Sequence, residues 1–168
     1  MISPAINPFR YRETTAAERH GKWRFVLTED LLVRMPWRVP GVISFRDADG
    51  REWVRMDGSI RTIRAGYAWD GCSPKRHLPG IGWVGTPDPE STRLASCVHD
   101  AGYQFSGTRH FPLCRDMEDW LFLRILRAEN FRYAGTYYTA VRALGWQFWG
   151  RHARPMFSEV IHHSRDDF

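Results

Sequence analysis

Between Trp23 and Trp69, apolar and polar residues alternate in three runs, "WRFVLTEDLLVRM", "GVISFRDADGREWVRM" and "SIRTIRAGYAW". Alternation with a period of two puts one face of an extended chain in a core and the other in water, which predicts β-strands. "DADG" at 47–50 and "MDG" at 56–58 carry the Asp and Gly residues that tight hairpin turns need. The region 23–69 therefore reads as about four strands of a small antiparallel sheet.

From Pro89 onward the period lengthens to that of a helix. Three helices are predicted: 89–105, opened by the acidic and hydroxyl residues of "PEST"; 115–130, with Leu121, Phe122, Ile125 and Leu126 as its apolar stripe; and 131–151. Between sheet and helices, residues 70–88 are rich in Gly and Pro and predict no regular element. A loop of that length in a compact domain is usually functional, and Leu78, Ile81, Trp83 and Val84 argue for an ordered one. Residues 1–20 read as an arm and 152–168 as a tail. The expectation is a single α+β domain spanning 1–168: a small N-terminal antiparallel β-sheet, a long Gly/Pro loop and three packed C-terminal helices.

Composition narrows the function classes. At 168 residues and 43% hydrophobic, the chain can fill a core without disulfides or a structural metal. Its three cysteines, Cys72, Cys97 and Cys114, have no paired spacing, so neither a disulfide framework nor a zinc cluster is expected. Cys97 reads as a small buried apolar residue rather than a nucleophile, and Cys72, beside Ser73 in the loop, is the stronger nucleophile candidate of the two. No apolar run reaches the roughly 18 residues of a membrane span, and "MISPAINPFRYRETTAAERHGK" has no secretory signal, so the expected location is cytoplasmic. The net charge of +5 comes almost wholly from Arg scattered among acids, with no basic run and no nucleic-acid motif. It fits an attraction to anionic partners, either anionic lipid or a phosphate-containing substrate.

The chemistry concentrates in "RLASCVHDAGYQF", residues 93–105. His99 and Tyr103 are four apart, so they share a helix face, while Asp100 is turned by about 100° toward the preceding loop. On the next helix Asp119 lies three before Phe122 of the apolar stripe, so it is expected to point inward. Asp116 is expected near the helix start, favoured by the dipole. An inward Asp119 would accept from a ring nitrogen of His99 and from the Tyr103 hydroxyl, leaving the other nitrogen as a general base. Asp100 and Asp70, with loop carbonyls from 70–86, would offer oxygen ligands to calcium or another divalent cation. The bland alternative is a buried polar network that pins two helices and does no chemistry.

Two resemblances follow from these motifs. "AGYAWDGCSP", the Gly/Pro loop, "LASCVHDAGYQF", "CRDMEDWLF" and "AVRALGW" together resemble the domain-of-unknown-function family numbered 1353, found largely in bacteriophages and prophages. Asp70, Ser73, Pro74, His99, Asp100, Tyr103 and Asp119 occupy its pattern positions, and Trp69 departs from its usual small residue. That family brings no activity with it. HDxxY followed by "DWLF" is also similar to calcium-dependent secreted phospholipases and, more closely, to parvovirus capsid phospholipase domains. That likeness implies His99 as base, Asp119 as orienting acid, Tyr103 as its second donor and Asp100 as calcium ligand. Ser73, with Trp83 and Gly85 of "GWVGTP", would meet substrate. The disulfides of those enzymes are absent here, the glycine pattern is not their calcium loop, and an N-terminal sheet is foreign to them.

The resulting expectation is a phage-encoded hydrolase in the host cytoplasm with a His-Asp centre, acting on an ester in lipid. Two alternatives stand beside it. One is a non-enzymatic phage protein, either a virion or tail component or a binder of host-defence proteins. The other is a metal-dependent phosphohydrolase, which would need His77 to act from within the Gly/Pro loop.

Overall fold

Residues 3–15, 23–47, 49–72, 88–106 and 112–149 are described in full in this computed structural model, together with the backbone of three further strands. The strands are β1 (Tyr11–Glu13), β2 (Phe25–Leu27), β3 (Leu31–Arg34), β4 (Val42–Arg46), β5 (Glu52–Asp57), β6 (Ile60–Ile63), β7 (Ala68–Trp69), β8 (Arg76–Leu78), β9 (Gly82–Val84) and β10 (Glu159–His163). The helices are α1 (Glu90–Phe105), α2 (Arg115–Ala128) and α3 (Ala134–Leu144), the last followed by a 3₁₀ turn at Gly145–Gln147. The α+β architecture is the expected one.

The alternating runs form two antiparallel sheets rather than one. β1, β2 and β7 make a three-stranded sheet. β4, β5, β6 and β3 make a four-stranded sheet, in that order, and β10 adds a fifth strand against β4. Both hairpin turns fall where expected. Gly50 at φ 79° closes β4 onto β5, and Gly58 at φ 55° closes β5 onto β6. The split into two sheets comes from β2 and β3, which are separated by only a short turn yet pair with different partners.

Three further boundaries differ from expectation. The arm contributes β1, and Ala5 bridges to Val33 along the outer edge of β3. The Gly/Pro segment contains the β8–β9 hairpin. The third helix ends at Leu144, and the tail supplies β10. Strands of three residues cannot display a period, so only their partners reveal them.

The helices cover the inner faces of the sheets. Trp69 of β7 is wholly buried, packs its ring 5.5 Å from Phe25 and donates its Nε1–H to Ser96 Oγ on α1 at 3.2 Å. Phe45 of β4 meets Phe105 of α1 at 5.1 Å. Among the described residues, a fully buried charged pair crosses this interface. Arg61 of β6 donates through Nη1 to Glu118 Oε2 at 2.9 Å and to the Val98 carbonyl at 3.3 Å, and through Nη2 to Glu118 Oε1. Both side chains are fully buried. Gly102 of α1 makes room for them, because a Cβ there would collide with the Glu118 carboxylate. The Arg61–Glu118 pair therefore fixes α1 and α2 at one distance from the sheet.

Candidate functional site

α1 carries His99 and Tyr103 on one face, as their spacing requires, with ring centroids 4.1 Å apart. α2 brings Asp119 between them with its side chain fully buried. Asp119 Oδ1 accepts from the Tyr103 hydroxyl at 2.5 Å and lies 3.0 Å from His99 Nε2. Phe122, one turn after Asp119, packs on the His99 ring at 4.9 Å. These three residues meet as the sequence predicts.

Electrostatics assign the protons. Burial alone would raise the Asp119 carboxyl, but hydrogen bonds from His99 and Tyr103, the His99 charge and a bond from Arg142 outweigh it and hold the group below its ordinary range. Burial first, and then the neighbouring Asp119 carboxylate, push the Tyr103 hydroxyl well up. Tyr103 therefore stays a donor and Asp119 an ionised acceptor. A carboxylate can only accept, so the imidazole presents Nε2–H to it, and in the neutral ring the lone pair is then on Nδ1. Among the described residues Nδ1 has no hydrogen-bond partner, and it is not one of the sealed polar atoms.

Arg142 is the residue the sequence reading missed. From α3 its Nη1 donates to Asp119 Oδ2 at 2.9 Å and to Asp116 Oδ1 at 2.6 Å. Asp116 stands in the first turn of α2, largely exposed. Just beyond Arg142, Gly145 lies against the Tyr103 hydroxyl, where a Cβ would intrude, and Trp149 meets the Tyr103 ring edge-on at 5.0 Å. The helix predicted over 131–151 put Arg142 in mid-helix, and nothing in the sequence showed which face it occupied.

The loop side of the site is organised by Asp88, also missed. Asp88 Oδ1 accepts from the Cys72 backbone N–H at 3.2 Å and from Thr92 Oγ1 at 3.3 Å, and Oδ2 lies 3.8 Å from Arg24 Nη1. Gly71 adopts φ +86°, and a side chain there would strike the Asp88 carboxylate. The residue at the N-cap of α1 is Pro89, which has no side-chain capping bond, so the hydroxyls of "PEST" do not cap the helix.

Asp100 and Asp70 both act electrostatically on the buried Tyr67. Burial, then Asp100, Cys97 and Asp70, drive the Tyr67 hydroxyl well up. Burial followed by the charges of Asp100 and Asp88 likewise pushes up the Cys72 thiol, which argues against a nucleophile there. Among the described residues, no group of three or more His, Cys, Asp or Glu stands close enough to hold a metal ion. Asp100 and Asp70 are thus not joined by enough such residues, among those described, to make a group of three. The loop carbonyls expected to complete one lie mostly within 73–87, outside the fully described residues, as do Ser73 and Gly85. Trp83 lies in β9, described by its backbone alone. No described helix is long and apolar enough to cross a membrane.

Comparison with protein families, with curated proteins and with solved structures finds no match to this chain.

Proposed function

We propose that this chain is a hydrolase in which His99 is the general base. The observation that supports the reading best is the shared acceptor: Asp119 Oδ1 takes both the Tyr103 hydroxyl and His99 Nε2, at 2.5 and 3.0 Å, leaving Nδ1 for a water. In the reaction, Nδ1 removes a proton from water as the water oxygen bonds to an ester carbonyl carbon. The resulting imidazolium is stabilised by Asp119 and returns its proton to the departing alcohol oxygen as the ester bond breaks. The likeness of HDxxY to phospholipases supports an ester in lipid, and the net charge of +5 supports an anionic one. The resemblance to the family numbered 1353 supports a phage origin and action in the host cytoplasm.

A second reading has its own observation. Asp119 is fully buried and receives donors from His99, Tyr103 and Arg142, so both oxygens of its carboxylate are satisfied without substrate. A virion component, or a binder directed at host defence, would use the same contacts to pin three helices.

Substitution at His99 separates the two. His99→Asn keeps a polar contact in a similar volume. On the hydrolase reading it retains the fold while turnover of anionic phospholipid vesicles, or of phosphodiester and simple ester substrates, drops by about 100-fold or more. Wild-type protein with no turnover across that panel, together with an Asn variant less stable by about 1–3 kcal/mol, sinks the enzyme and favours the scaffold.

A further inference from the structure

We infer that Arg142 is the positioning residue of the His99–Asp119 pair: one guanidinium nitrogen on α3 orients the carboxylate and, through it, sets the tautomer of the imidazole. The inference rests on the reading of His99 as a base and says how that base is held ready.

A carboxylate has two chemically equivalent oxygens, and only its partners distinguish them. Asp119 Oδ1 takes His99 and Tyr103 from α1, and Oδ2 takes Arg142 from α3 at 2.9 Å. Without Arg142, Oδ2 would be a buried acceptor with no donor, in a side chain that has no exposure. Two changes relieve that state: rotation of the carboxylate, or uptake of a proton on it. Either weakens the acceptor that Nε2–H faces and removes the reason for the imidazole to keep its lone pair on Nδ1.

Arg142 is itself held. The same Nη1 donates to Asp116 Oδ1 at 2.6 Å, three residues before Asp119 and on the same side of α2, so the guanidinium spans two carboxylates. Arg115 Nη1 in turn donates to the Arg142 carbonyl at 3.2 Å, tying that point of α3 back to α2. The charged and titratable groups facing Asp119 are thus His99 and Tyr103 from α1, Arg142 from α3, and Asp116 and Arg115 of its own helix. Arginine suits the task because it stays charged throughout the working pH range and donates in a fixed plane. An exposed ion pair contributes little to stability, whereas this one ends on a fully buried oxygen beside the reacting ring.

The tautomer can be read without knowing the substrate. Ring ¹⁵N NMR on the full chain at about pH 9, above the ordinary histidine range, should show a single Nε2–H form for His99 in the wild type. Arg142→Leu should give a mixture of both tautomers, with turnover lower by about 10-fold and KM unchanged. Arg142→Lys, which restores one charged donor, should recover most of the Nε2–H form. Should the Leu variant not fold, Arg142→Gln carries the same test, with a smaller admixture of the second tautomer. A folded Leu or Gln variant that keeps the single Nε2–H tautomer overturns the assignment. A wild type with that tautomer and no turnover overturns the hydrolase reading alone.

Discussion

Glu118 and Asp119 are chain neighbours on α2, both fully buried and both paired with arginine, yet their arginines come from different layers, Arg61 from the sheet and Arg142 from α3. Glu118 faces the sheet and locks onto Arg61 through both of its oxygens, and Arg61 spends a further bond on the Val98 carbonyl. Both partners of that pair have zero exposure, and Arg61 Nε is sealed there without a hydrogen-bond partner among the described residues. Asp119 faces the helices, and its partners His99 and Arg142 reach the surface with side chains 9% and 31% exposed. A closed charge pair is a fixture. A cluster with one ring nitrogen unclaimed, at the edge of solvent, has somewhere for a proton to go. On the hydrolase reading proposed above, adjacent acids on one helix divide between holding the fold and doing chemistry.

The largest expected effect strikes the closed side. Glu118→Ala leaves Arg61 charged and alone in the core, and should cost about 3–5 kcal/mol in chemical denaturation. The double change Arg61→Met with Glu118→Leu should recover most of that, because apolar residues of similar volume replace a buried pair without an orphaned charge. If Glu118→Ala costs no more than a surface substitution, the pair is not the fixture described.

Gly102→Ala comes next. The new methyl would meet a Glu118 carboxylate that cannot swing aside without leaving Arg61, so a loss of about 1–3 kcal/mol is expected despite the better helix propensity of alanine. The loss should shrink when Gly102→Ala is combined with Glu118→Ala, as a double-mutant cycle would read.

The smallest effect is a slope on the open side. Burial, which would raise the Asp119 carboxyl, is outweighed by the bonds of His99, Tyr103 and Arg142, so the folded value lies below the unfolded one. Its stabilisation is complete above the ordinary carboxylate range and is lost as pH falls through the lowered value. Denaturation midpoints measured from about pH 6 down to about pH 2 should therefore fall more steeply for wild type than for Asp119→Asn, by no more than one proton's worth. Parallel slopes would mean that Asp119 is not held ionised.

The meeting of His99, Tyr103 and Asp119 was legible because helix geometry fixes it: four residues set two side chains on one face, and three residues tie Asp119 to the stripe that must face α1. Arg142 was not, because the rotation of α3 against α2 depends on packing that no local pattern encodes. The Arg61–Glu118 pair left one usable trace. A glycine inside an otherwise helical run costs about 1 kcal/mol against alanine and so asks for a neighbour that needs the space. β1, β8, β9 and β10 escaped for a common reason. Three to five residues of mixed polarity carry no signal of their own, and β1 and β10 also take their ladders from partners farther along the chain.

The N-terminal arm also settles what the protein presents to its neighbours in a crowded solution. The Ile6 N–H bonds the Leu32 carbonyl, the Arg34 N–H bonds the Pro4 carbonyl, and the Asn7 side chain takes the Leu32 N–H while donating to the Asp30 carbonyl. Together they satisfy the outer rim of β3, a strand whose free amides would otherwise template another chain. Proteolytic trimming back past Asn7 would leave the His99–Asp119 cluster untouched, yet it would turn that rim into a sticky seam and favour aggregation.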